Sequence, residues 1–176
     1  MAACGRAIGR HGPGFTLAQV ATEAGVAVGT VAGRFGSKRN LLLAMMAAQC
    51  EIVEELMTTA AAAHPDPVAA VTAALLATTD GVADPTTATN HLAQLGVDLA
   101  DPTLRVGLAT LRAGVHRVLT KLFTTAALPG APTPARAARI VAAMTHGAQL
   151  DWALDPSGRI AERVRDDVAA ILETWR

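Results

Sequence analysis

Apolar residues recur every three to four positions along most of this chain, and the stretches so formed are separated by proline and glycine. The pattern predicts helices. Residues 2–11 put Ala3, Ala7 and Ile8 on one side of a short first helix, in which Gly5 and Gly9 each cost about 1 kcal/mol relative to alanine. Gly12-Pro13-Gly14 breaks it. Thr16 then caps a helix over 17–24 with Leu17, Val20 and Ala21 inward, Gly25 suits the left-handed turn that ends it, and Val26 is placed to fill the core beneath. A helix over 28–35 follows, with Val31 and Phe35 inward and Gly29, Thr30, Ala32, Gly33 and Arg34 nearer solvent. Ser37 caps a long helix over 38–63 whose Leu42, Met45, Met46, Ile52, Val53, Leu56 and Met57 are spaced for burial.

Further helices are predicted over 68–79, 86–100, 102–127, 134–154 and 157–175. The breaks between them fall at His64-Pro65-Asp66-Pro67, Asp84-Pro85, Asp101-Pro102, residues 129–134 and Asp155-Pro156, where proline lacks a donor and fixes φ. No strand signal outweighs the helical one, and no fixed-period repeat is present. The fold class is therefore all-α, with a three-helix head over residues 1–43 and a helical body over 44–176.

Composition supports this division. At 176 residues, with 51% apolar and 17% charged side chains, the chain can bury a real core and is not a disordered polymer. Net charge is zero, yet residues 1–40 carry Arg6, Arg10, Arg34, Lys38 and Arg39 against Glu23 alone. A basic head on an acidic body suits phosphate at one end. Cys4 and Cys50 lack metal-ligand spacing and read as packing residues. Neither a signal peptide nor a bilayer-length apolar run is seen, so a cytoplasmic protein with no membrane partner is expected.

The order T-L-x-x-V-A-x-E-A-G-V-x-x-G-T-V-x-x-x-F-x-S-K-x-x-L-L, from Thr16 to Leu41-Leu42, resembles the helix-turn-helix head of the tetracycline-repressor-like (TetR) transcriptional regulators. The Pro-broken helices that follow are similar to that family's ligand-binding and dimerisation domains. The resemblance implies that Thr16 and Lys38 hold phosphates of a double-stranded operator, while Ala27, Val28, Gly29, Thr30, Ala32 and Arg34 face its major groove. Three positions depart from the family pattern: Ala27 replaces the usual serine, Val28 a polar or basic residue, and Ala32 a tyrosine. Gly33 loosens the same helix, and the sequence is expected to begin inside helix one, so that the family's basic arm is either missing or lies before Met1. Fewer phosphate contacts imply modest affinity, or affinity that depends on residues before Met1, and a shallower salt dependence.

In the body, His91, His116 and His146, with Gln94 and Gln149 near them in sequence, are polar groups on apolar helices, and such groups mark cavities as well as satisfied core sites. Met57, Phe123 and Trp152 suit either a small apolar or amphipathic ligand or plain packing. No HExxH, phosphate loop, nucleophile elbow or paired-carboxylate arrangement is present, so no catalytic residue, metal or cofactor is expected. The last two helices pair Ala138, Ala142, Ala143, Gly147 and Ala148 with Ile140, Met144, Ile160, Val164, Val168, Ile171, Leu172 and Trp175, an apolar excess that a twofold four-helix bundle would bury. The functional expectation is a homodimeric repressor released by ligand from a palindromic operator. The alternative is a dimeric all-α small-molecule-binding or scaffolding protein with a degenerate head.

Overall fold

A computed structural model describes residues 1–79 and 84–176. Among them every regular element is helical: α1 (Ala2–His11), a 3-10 turn (Gly12–Gly14), α2 (Leu17–Ala24), α3 (Val28–Phe35), α4 (Lys38–Ala62), α5 (Pro67–Leu76), α6 (Pro85–Ala100), α7 (Pro102–Ala126), α8 (Pro134–Leu154) and α9 (Ile160–Glu173). The Asp-Pro pairs do more than break helices. Asp66 accepts from the Ala69 N–H at 2.8 Å, Asp84 from Thr87 at 2.9 Å, and Asp101 from Thr103 and Leu104 at 2.8 and 3.1 Å. Each aspartate is thus the cap of the helix that its proline begins, because proline at the first helical position gives up a donor that had no partner anyway. This is why α5 and α6 start one residue before the positions expected from periodicity. At the other end of the chain, α9 starts at Ile160 rather than Ser157. Gly158 has φ 66°, its carbonyl accepts from Trp152 Nε1 at 3.2 Å, and Arg163 closes the loop on Ser157 Oγ at 3.0 Å.

The chain divides into two compact units, the first being Met1–Cys50 with Val82–Leu111 and the second Glu51–Gly81 with Arg112–Arg176. By contacts, then, the head expected over 1–43 includes α6 and the start of α7. Its core is Cys4, Ala7, Ile8, Phe15, Val20, Ala21, Val31, Leu41, Leu42, Met45, Met46 and Leu104. The glycines of α1 explain why α6 belongs here. A Cβ at Gly9 would lie 3.0 Å from the Thr87 methyl, and one at Gly12, where φ is 59°, would lie 2.8 Å from Asn90 Oδ1. Asn90 Nδ2 donates to the Gly9 carbonyl at 2.7 Å. Glycine that weakens α1 as a helix lets α6 reach its backbone. Gly107 plays the same part against Met46, whose sulfur would stand 2.9 Å from an added Cβ.

In the second unit α9 packs on α8 and α5. Val164, Val168 and Leu172 are fully enclosed, as are Val141, Ala137 and Ala138. Phe123 meets Trp175 edge-on with centroids 5.8 Å apart, and the Gly130 N–H donates to the Trp175 carbonyl at 2.9 Å. Arg117 pairs with Glu54 across α7 and α4. Three burial expectations fail. Val26 is 44% exposed, because the Gly25 turn sends its N–H back to the Ala21 carbonyl and leaves its side chain outside. Ile52 and Leu56 are 58% and 47% exposed, since α4 offers this unit the face carrying Val53 and Met57 instead.

Beneath α6, Asp98 and Gln94 are buried polar side chains joined by a 2.7 Å bond from Gln94 Nε2 to Asp98 Oδ1, while Gln94 Oε1 finds no partner among the described residues. Burial is the main cause raising the Asp98 pKa, and it also pushes the Cys4 thiol up to about 11. A carboxyl whose folded pKa is raised contributes stability that is full below the unfolded value and is lost as pH rises through the folded one. Asp98→Asn removes that loss and brings an amide N–H toward Gln94 Oε1. Thermal unfolding of the variant is expected to match wild type near pH 4 and to lie higher at pH 8. An equal or lower Tm at pH 8 would show that Asp98 is needed as a charge.

Candidate nucleic-acid interface

The turn between α2 and α3 is built locally. Thr16 and Gln19 form a reciprocal cap at the start of α2, with Gln19 N donating to Thr16 Oγ1 at 3.2 Å and Thr16 N to Gln19 Oε1 at 2.8 Å. Gly25 ends the helix at φ 68°, ψ 31°, its N–H reaching Thr22 O at 3.2 Å while Val26 N reaches Ala21 O at 3.0 Å. That paired bonding fixes the chain direction into α3. Val31 is buried and Phe35 packs on the core, which leaves Ala27, Val28, Gly29, Thr30, Gly33 and Arg34 exposed and Ala32 half-buried. Gly36, at φ 71°, closes α3, and Ser37 Oγ accepts from Asn40 N at 3.1 Å to begin α4.

Most of this unit's cations are already engaged. Arg6 and Arg10 both hold Glu23, at 3.0 and 2.6 Å. Arg39 holds Asp101 at 2.9 Å and Thr103 at 2.6 Å. Lys38 Nζ donates to the Pro13 carbonyl and sits 4.1 Å from the centroid of the Phe15 ring, and burial lowers its pKa. Arg34 differs: among the described residues it meets no carboxylate or carbonyl, only the Phe35 ring at 5.5 Å. A guanidinium free of ion pairs at the end of an exposed helix can bind phosphate or a guanine edge. At the other end of α3, Ala27 supplies no side-chain cap, and the Thr30 N–H turns back to the Ala27 carbonyl at 3.0 Å.

The eight residues expected around a ligand fall in both units. His91 and Gln94 are on α6 in the first; Met57, His116, Phe123, His146, Gln149 and Trp152 are in the second. Burial lowers the His91 pKa. Met57, Gln94, Phe123 and Trp152 are buried, and the last three are committed to Asp98, Trp175 and the Gly158 carbonyl. Gln149 is half-buried. His146 is exposed, and its Nδ1 bonds the Ala142 carbonyl at 2.8 Å. The charges of Arg112 on α7 and of Arg139 and His146 on α8 act on His116, and helical periodicity would have placed Arg112 beside it had cations been sought along with apolar positions.

Comparison with known proteins agrees with the head's geometry. Residues 2–45 match the family described as bacterial regulatory proteins, tetR family. No curated protein matches the chain. Among solved structures, it shares its fold with the fatty acid degradation regulator FadR of Bacillus halodurans, at 15% identity and TM-score 0.73 over 97% of this chain and 94% of that one. A transcriptional regulator of Rhodococcus sp. Rha1 gives 19% and 0.73 over 98% and 93%. PfmR, a TetR family regulator of Thermus thermophilus, gives 17% and 0.62 over 90% and 88%.

The uncapped start of α3 yields a direct measurement. Ala27→Ser supplies an oxygen for the N–H groups of the first turn and is expected to stabilise the protein by about 1 kcal/mol. Urea unfolding followed by circular dichroism measures it, and an unchanged midpoint would mean that the serine does not cap.

Proposed function

With residues 2–45 matching the family described as bacterial regulatory proteins, tetR family, we propose that the chain is a homodimeric DNA-binding transcriptional regulator, a repressor released from a palindromic operator by a small apolar or amphipathic ligand. The observation that carries this reading is the exposed outer face of α3, held out by an intact Gly25 turn and ending at the unpaired Arg34. In this reading Thr16 and Lys38 touch phosphate, Lys38 exchanging or sharing its bond to Pro13. Ala27, Val28, Gly29, Thr30 and Ala32 lie toward the groove, and Arg34 supplies the charge.

Dimerisation through the last two helices has support from α8 more than from α9. Ile160, Val164, Val168 and Leu172, counted as apolar excess from the sequence, are buried within the chain. What remains open on α8 is Ala143, Gly147, Leu150 and Leu154, one helical stripe whose leucines are 48% and 77% exposed. A twofold contact through this stripe would cover it and set two heads at a fixed spacing. Ligand that favours a misaligned pair of heads then lowers operator affinity by its differential affinity for that state. The chain's location is expected to be the cytoplasm; no described helix is long and apolar enough to cross a membrane.

A second reading, a dimeric binding or scaffolding protein with a degenerate head, is favoured by one observation: Val28 is 52% exposed at a position where an apolar side chain gives DNA no hydrogen bond.

Fluorescence anisotropy with the promoter DNA at two salt concentrations separates the two readings. The first expects salt-dependent binding that Arg34→Ala weakens, with the salt slope falling by about one unit. Absence of binding at low salt without ligand favours the second. Sedimentation of the wild type at micromolar concentration is expected to show a dimer, and Leu154→Glu to shift it toward monomer; a wild-type monomer would sink the operator mechanism.

A further inference from the structure

His116 stands out among the polar groups of the second unit. Its Nε2 is buried and has no hydrogen-bond partner among the described residues. A buried imidazole nitrogen left unpaired is uncommon enough in a folded protein to require an explanation. The groups whose charge acts on His116 among the described residues are Arg112, one turn earlier on α7, and Arg139 and His146 on α8; burial and these charges together lower its pKa. Among the described residues neither arginine forms an ion pair. By contrast, Arg117, the next residue on α7, is matched by Glu54.

Position along α7 narrows the chemistry further. Residues 112, 116, 119 and 123 are spaced four, three and four apart and so share one helical face. That face carries a guanidinium at Arg112 and, at His116, an imidazole whose pKa is lowered by burial and by the neighbouring cations, and it continues into the core at Leu119 and Phe123, both buried.

We propose that the α7–α8 face of the second unit holds the carboxylate of a ligand with an apolar body, the carboxylate accepting a hydrogen bond from His116 Nε2–H and charge-assisted bonds from Arg112 and Arg139. An imidazole carrying its proton on Nε2 and two planar guanidinium forks match the in-plane acceptors of a carboxylate. His146 Nδ1 bonds the Ala142 carbonyl at 2.8 Å. The proposal rests on the ligand-sensing reading above and gives that ligand a charge.

The test uses the full chain at pH 7 with sodium octanoate, octan-1-ol and inorganic phosphate as probes in titration calorimetry. Octanoate is expected to bind about tenfold or more tightly than octanol. Arg112→Gln with Arg139→Gln is expected to remove that preference while leaving octanol binding unchanged. The imidazole proton resonances of His116 should shift on adding octanoate, titrating at higher pH in the complex, a signature absent from His116→Gln. Equal binding of octanoate and octanol overturns the carboxylate site and leaves an amphipathic ligand standing. Binding of phosphate as tight as that of octanoate reduces the cluster to a general anion patch and overturns the ligand class. Failure of every probe to bind overturns the site. Octanoate binding that leaves promoter DNA bound in the anisotropy assay keeps the site and overturns ligand-released repression.

Discussion

A methyl group at residue 12 would stand 2.8 Å from Asn90 Oδ1, and one at residue 9 would stand 3.0 Å from Thr87. That absence of side chains is the constraint on which the first unit depends. It lets α6 lie against the backbone of α1 and bond its carbonyl through Asn90. With α6 in place, Asp98 and Gln94 are carried under cover beside Cys4, and Leu104 joins a core otherwise made from the first 46 residues. Gly9, at a cost in helix propensity, and Gly12, at the positive-φ turn after α1, are thus offset by packing that a local count of propensities does not include.

The charges of this unit are distributed by the same logic. Glu23 is shared by two arginines, Asp101 caps α7 while holding Arg39, and the Lys38 amine bridges the Pro13 carbonyl and the Phe15 ring. Each tie fixes a helix or a turn and pairs a cation with an oxygen of this unit, though Arg6, Arg10 and Arg39 stay about half or more exposed. A net positive count over residues 1–40 therefore overstates the charge free to meet a polyanion. Arg34 carries most of what is left, which agrees with an interface whose remaining outward residues are small or apolar.

The helices and the turn chemistry were legible because their causes are local. Thr16, Gly25 and Ser37 do what their residue types dictate within four positions, and α1 through α4 fall where periodicity puts them. Non-local facts were not legible in that way. Val26 has the hydrophobicity of a core residue, but the bonding of the Gly25 turn leaves its side chain in solvent. Ile52 and Leu56 continue the apolar period of α4, yet a helix 25 residues long has more apolar positions than the neighbours packed on it can cover. Nor could spacing reveal that α6 belongs with the first four helices, since that follows from contacts some 80 residues apart in the chain, such as Asn90 with Gly9. Of the residues expected around a ligand, Trp152 and Phe123 proved to be tied to partners in their own unit, whereas Gln94 and His116, drawn from the same reading, each keep one buried atom without a partner among the described residues.

Gly29 and Gly33 sit on the open side of α3, and nothing lies within 4 Å of where a Cβ would stand at either. The outer wall of that helix is bare main chain over a full turn. Any partner seated there can approach to backbone distance, closer than a tyrosine or glutamine would permit, and meets few side-chain donors when it arrives. Selection on such a surface works through the width and depth of the partner's groove and its readiness to deform, so sequence preference would be written in the mechanics of the double helix more than in the edges of its bases.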